Sequence, residues 1–238
     1  IEGDVDNSAD SDDSITLAKQ VKLSSAGSIT LNSTSGKIKA AGEITLGADD
    51  GIVINDDFTA SGDMALDADS NNVLDSVDSL TLANGITLFS DGGQISLDAT
   101  AGGIEASGSI TLKADKGIKI NDSFTSSGAI TIDSDVDNDG TGNFTLAELM
   151  TVDTSNNSLT ITSNDIDISG SIDSGTASTT LLVSDKGTIV LGDAQEDEEC
   201  MTCDGTGKRQ EPPVTGAGNM KCNGCEGKGT KRPWDTNY

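Results

Sequence analysis

The chain has 238 residues, with 14 Lys and Arg against 40 Asp and Glu, no His, and a net charge of -26. That balance excludes nucleic acid as a natural partner, because phosphate binding needs clustered Lys and Arg, and it favours divalent cations and cationic surfaces instead. Aromatic residues make up 3%, no apolar run is long enough to cross a membrane, and the start at Ile1 without a visible leader reads as a processed chain; with its Gly, Ser, Thr, Asp and Asn richness, this suits an extracellular or cell-surface protein.

Residues 1–14 read as an acidic N-terminal arm, DVDNSADSDD from Asp4 to Asp13, able to reach a neighbouring molecule. From Ile15 the chain becomes periodic, which argues against disorder. The stretch Gly27 to Gly62 recurs without a gap at Gly93 to Gly128, a 66-residue repeat that carries Gly27, Gly36, Gly42, Gly51 and Gly62 onto Gly93, Gly102, Gly108, Gly117 and Gly128, and Phe58 onto Phe124. A looser copy is announced by a shared opening: ITLA at Ile15, LTLA at Leu80, FTLA at Phe144. Inside the 66 lies a finer step of 22, as in Ile44, Leu66, Leu88, Ile110 and Ile132.

Apolar residues come as alternating triplets such as Ile44-Thr45-Leu46, Ile52-Val53-Ile54 and Ile118-Lys119-Ile120. Period two marks a strand with one wet face, and the Gly, Asn and Asp between triplets mark turns. Three strands fit in each of the finer steps. The expectation is an all-β fold: a parallel β-helix over residues 15–192, with about eight coils of about 22 residues, a rod of roughly 40 Å at one strand spacing per coil. Outward Thr should form ladders along its faces. An antiparallel β-sandwich is the competing architecture. The pattern G-x-I-T-L-x-A-x-x-G-x-I resembles the repeats of filamentous haemagglutinin-like adhesins and other bacterial β-helical surface proteins; that resemblance implies a right-handed parallel β-helix, secretion, and adhesive or structural roles.

Acidic loops punctuate the repeats: Asp4 to Asp13, Asp67 to Asp78, and Asp133 to Asn143. In the third, Asp135, Asp137, Asp139 and Gly140 match the D-x-D-x-D-G opening of a calcium loop, with Thr141 and Asn143 at the next ligand positions. The closing Glu is missing: Leu146 occupies its place, and Glu148 lies two residues beyond. A Ca²⁺ site at Asp135, Asp137, Asp139 and Thr141 is set against a plain solvated turn. Catalysis is not expected. There is no His, the two arginines are Arg209 and Arg232, and the single Trp and Tyr are Trp234 and Tyr238, so the rod offers neither an obvious base nor an aromatic sugar platform.

An acidic linker, residues 193–199, leads to a module of reversed charge, residues 200–238. Its CMTCDGTGK and CNGCEGKGT hold all four cysteines. Two C-x-x-C knuckles with this spacing can present Cys200, Cys203, Cys222 and Cys225 to one metal, in a small zinc-ribbon-like module. Two disulfides are the alternative, favoured by an oxidising exterior, and four thiolates do not select zinc alone. The repeated C-x-x-C-x-G-x-G resembles the zinc-binding region of DnaJ-type chaperones; with two motifs, one Zn²⁺ in a small antiparallel hairpin is implied, without chaperone function. Such a module has too few large apolar side chains to fold by burial alone, and its basic residues suit docking on an acidic rod.

The expected function is a structural subunit of an extracellular filament, sheath or surface layer, polymerising head to tail with itself and meeting other surface-layer components. The alternative is a passive adhesin or stalk segment of a larger protein. Asn32, Asn121, Asn143 and Asn156 lie in glycosylation sequons, a frequency that chance explains in so Ser- and Thr-rich a chain.

Overall fold

The structure, a computed structural model, describes residues 1, 13–33, 36–73, 78–100 and 102–192. Most of the acidic arm, the linker 193–199 and the module 200–238, with Cys200, Cys203, Cys222 and Cys225, lie outside the described residues.

Among the described residues, twenty-three strands of three to five residues form three sheets of eight, eight and seven strands, and each strand inside a sheet pairs with the third strand before it and the third after it. The pairing is parallel, as in Ile15 with Ile38, Ile38 with Phe58 and Phe58 with Leu88. This is a parallel β-solenoid of about seven turns, and the antiparallel sandwich is excluded. The first sheet opens with Ile15–Leu17, the second with Val21–Ser25 and the third with Ile29–Leu31. There is no helix among the described residues, hence none long and apolar enough to cross a membrane.

A turn takes about 23 residues on average, within the range of solenoid repeats, but the step is not constant. Ile44 pairs with Met64, a short step, whereas Met64 pairs with Ile95, a step half as long again. The 22-residue series from Ile44 to Ile132 is therefore not one column: it starts in the second sheet and ends in the first. The reason is that strand register is set by inward-facing triplets, while turn length is free to vary, and the long loop after Asp67 lengthens its turn.

The 66-residue repeat has a different meaning from the one its divisibility by three suggests. Its landmark openings, Ile15–Leu17, Leu80–Leu82 and Phe144–Leu146, are eight strands apart, and they fall in the first, third and second sheets. Eight strands on a three-faced coil make two and two-thirds turns, so each copy of the repeat is displaced by one face.

The core is the column of inward residues. Ile38, Ile44, Leu46, Ile52, Ile54, Leu80 and their counterparts are fully buried, as are Phe58, Phe124 and Phe144. Full burial of one such side chain contributes about 1.5–3 kcal/mol. Small residues turn the corners: the hydroxyls of Ser90, Ser126 and Ser163 donate to the carbonyls of Gly62, Gly108 and Gly142 at 2.7, 2.8 and 3.0 Å, so these turn carbonyls keep a partner. Corner glycines also stack, and a Cβ on Gly128 would overlap the Ser109 nitrogen. On the outer face of the first sheet, Thr87, Thr111, Thr131, Thr160 and Thr180 form a ladder of paired positions, as the alternating pattern predicts.

The last turn differs. Ile189 and Leu191 pair with the buried Ile166 and Ile168, yet they are 42% and 66% exposed. Ile172 and Leu181 are only partly buried, and Val183 is 38% exposed. An open groove of about 360 Å³ lies among Ile168, Ile172, Leu181 and Leu191. At the other end, Leu17, Val21 and Leu23 are partly buried. Ile1 adds itself beside the first strand of the third sheet: its amino group donates to the Thr30 carbonyl at 2.6 Å, and its carbonyl accepts from the Asn32 N–H at 3.1 Å.

Candidate cation site

The loop between the strands Ile130–Asp133 and Phe144–Leu146 carries the D-x-D-x-D-G sequence. The chain leaves the core at Ile132, and Ser134 and Asp135, which follow, are polar yet buried: Ser134 fully, Asp135 with 1% exposed. A tight turn follows. The Asn138 N–H donates to the Asp135 carbonyl at 3.1 Å, and Asn138 and Gly140 take left-handed backbone conformations with φ of 53° and 82°. Asn tolerates that region and Gly enters it freely. Gly142 then passes so close to the Ser134 carbonyl that a Cβ would overlap it, which closes the loop onto its own base.

This folding brings one carboxylate oxygen each from Asp135, Asp137 and Asp139 within 4.8 Å of one another, and they form the one such triad of His, Cys, Asp or Glu among the described residues. Asp137 and Asp139 are exposed, while Asp135 lies at the floor. Asp135 accepts a hydrogen bond at Oδ2 from the Ser184 hydroxyl, and its Oδ1 is buried without a partner. Thr141 donates to Asp139 Oδ1 from its N–H at 2.9 Å and from its hydroxyl at 2.6 Å, fixing that carboxylate. Asn143 instead binds the turn above, accepting from Asn164 Nδ2 and from the Asp165 N–H, both at 3.3 Å. Glu148 is exposed and outside the triad.

Burial pushes the Asp133 carboxyl above its ordinary value; like charges at Asp135 and Asp115 add to the rise, while the Asp135 N–H and Lys113 oppose it. The loop thus concentrates negative charge around an unsatisfied buried oxygen. Three hard oxygens at alternate positions of a Gly-bearing turn form a donor set for Ca²⁺ rather than for a thiophilic metal.

Three polar neighbours come from later turns and were not legible in the loop sequence. Besides Ser184, Asn164 Oδ1 and Asp185 Oδ2 both lie 3.8 Å from the place a Cβ on Gly140 would occupy. The signal that could have found them is the strand register: Asp133 pairs with Thr162, and Ser163 with Val183, which stacks the three turns.

Comparison with family models, with curated proteins and with solved structures returned no match.

Proposed function

We propose that the chain is a structural subunit of an extracellular filament, sheath or surface layer, without catalytic activity, that stacks head to tail through the ends of its solenoid. In this reading Ca²⁺ sits at Asp135, Asp137 and Asp139, with Thr141 holding the loop, and Zn²⁺ sits at Cys200, Cys203, Cys222 and Cys225.

The observation that carries the reading is the last turn. Its apolar set of Ile172, Leu181, Val183, Ile189 and Leu191 continues the strand pattern of the core but has no turn above it among the described residues. The first turn of a second copy offers the matching apolar set in Ile15, Leu17, Val21 and Leu23, on strands that open the first and second sheets. Stacking would bury the column and pair backbone groups that otherwise face water. Such contacts are heterologous and propagate into a filament. The charge of -26 opposes this by self-repulsion, and bound cations and the basic module offset it.

The test compares the full chain with Leu191→Lys by electron microscopy and sedimentation, with and without Ca²⁺. The wild type forms filaments favoured by calcium, and the variant stays monomeric. A wild type that remains monomeric at high concentration in calcium overturns the filament in favour of the stalk segment; filaments unaffected by Leu191→Lys place the contact elsewhere. Native mass spectrometry checks the module: one zinc per chain with free thiols after chelation supports it, and two disulfides without metal contradict it.

A further inference from the structure

One repeat earlier, the loop after the strand Met64–Asp67 is built on the same plan, and its central carboxylate is more isolated. Asp67, Asp69 and Asn72 stand one full repeat before Asp133, Asp135 and Asn138. The correspondence extends to conformation. Asn72 and Asn138 share a φ of 53°. The Asn72 N–H donates to the Asp69 carbonyl at 3.2 Å, as Asn138 does to Asp135 at 3.1 Å. The Asp69 N–H donates to Asp67 Oδ1 at 3.2 Å, as Asp135 does to Asp133 at 3.4 Å. Because the repeat spans eight strands, the two loops leave different sheets: the second at Asp67 and the first at Asp133.

Asp69, like Asp135, is 1% exposed. Asp135 retains the hydrogen bond from Ser184, whereas neither carboxylate oxygen of Asp69 has a partner among the described residues. The charged groups that act on its neighbours Asp67 and Asp122 are carboxylates. Asp67 is influenced by Asp98, Asp69 and Asp49, and Asp122 by Asp98 and Asp69. Residues 74–77, LDSV, contain no Lys or Arg. An ionised carboxylate withdrawn from water, without donors and among like charges, needs a counter-charge or a proton.

We propose that Asp69 anchors a second divalent-cation site, of the Ca²⁺ class, in the loop equivalent to that of Asp135. The donors that the repeat sets there are oxygen: the two carboxylate oxygens of Asp69 and, in the place of Asp137, the side-chain amide oxygen of Asn71, which accepts the Val73 N–H at 2.7 Å as Asp137 Oδ1 accepts the Asp139 N–H at 3.4 Å. That selects a hard cation. With Asn71 for Asp137 and Val73 for Asp139, the positions equivalent to the Asp135 triad carry one carboxylate instead of three, so this site binds the ion more weakly than the Asp135 loop, since affinity follows ligand charge. The comparison of affinities rests on the calcium reading of the Asp135 loop; the burial of Asp69 does not.

Equilibrium dialysis of the full chain with calcium, with native mass spectrometry to count ions, tests the proposal. The wild type takes up two Ca²⁺ of unequal affinity; Asp69→Asn loses the weaker, and Asp137→Ala the tighter. If wild type and Asp69→Asn both bind one ion and Asp137→Ala none, Asp69 is no site while the Asp135 loop stands. If Asp69→Asn loses an ion and Asp137→Ala none, the Asp69 site stands and the Asp135 reading falls. No calcium on the wild type overturns both. Should Asp69→Asn fail to fold by circular dichroism, the wild-type count decides, two ions supporting the site and one or none refuting it. An infrared band of a protonated carboxyl in the calcium-loaded wild type at neutral pH, absent from Asp69→Asn, would assign a proton in place of the cation and overturn the proposal.

Discussion

The middle turns and the last turn of the solenoid are written in the same triplets but differ in burial. Ile166 and Ile168 are 0% and 4% exposed, and their partners one turn on, Ile189 and Leu191, are 42% and 66% exposed. The difference teaches that a triplet specifies a strand and its inward face, while a neighbouring turn supplies the burial that makes it stable. Repeat sequence alone does not close the column.

The largest break in that comparison comes from the middle. Phe124→Ala empties a fully buried position and should cost about 3–5 kcal/mol in urea unfolding. Leu191→Ala should change monomer stability by less than about 0.5 kcal/mol, because the residue is already mostly in water. Equal losses would mean that the last turn is covered in solution.

A smaller effect is expected at the corners. Gly128→Ala drives a methyl into the Ser109 nitrogen and should cost about 1–3 kcal/mol through overpacking. Gly85 has open space around it and a φ of 82°, so Gly85→Ala should cost only the conformational strain, about 1–2 kcal/mol. Thermal unfolding of both variants separates crowding from strain.

Calcium should sharpen the picture further. At 100 times the dissociation constant, one ion raises stability by about 2.7 kcal/mol. Asp137→Ala should remove most of the calcium-dependent rise in Tm while leaving Tm in chelator close to the wild-type value.

The smallest effect is a pH dependence. Burial holds the Asp122 carboxyl above its ordinary value of 3.8, opposed by the Ser123 and Ala99 N–H groups and reinforced by Asp98 and Asp69. A raised folded value means that the fold holds this proton more tightly than the unfolded chain does. Ionisation therefore costs stability as pH rises through the raised value, and the cost is absent below 3.8. In chelator, Asp122→Asn should raise Tm at pH 7, with the gain shrinking to nothing as pH falls below about 4.

Much of the fold was legible because period-two triplets such as Ile118-Lys119-Ile120 leave only one face to bury, and short polar turns between them demand a coil. The exact turn length was not legible. Ile44 and Leu66 are 22 apart and both inward, but Ile44 pairs with Met64, because the inward positions of one strand are interchangeable by a slip of two residues. The eight-strand period was hidden for the same reason: 66 divides evenly by three, and only the register of Leu80–Leu82 in the third sheet and Phe144–Leu146 in the second exposes the mismatch. At the site, Asp135, Asp137 and Asp139 were legible from their spacing. Ser184, Asn164 and Asp185 were not, since they come from other turns, and the burial of Asp69 depends on the turns stacked around it.

The central claim, that one rod continues the sheets of the next, is tested most directly by cryo-electron microscopy of filaments grown from the full chain in calcium. End-to-end stacking predicts strands perpendicular to the filament axis, an unbroken spacing of about 4.8 Å across subunit boundaries, and a rise per subunit of about 35–40 Å. Filaments whose strand spacing is interrupted at each boundary, or whose subunits join side by side, would contradict it.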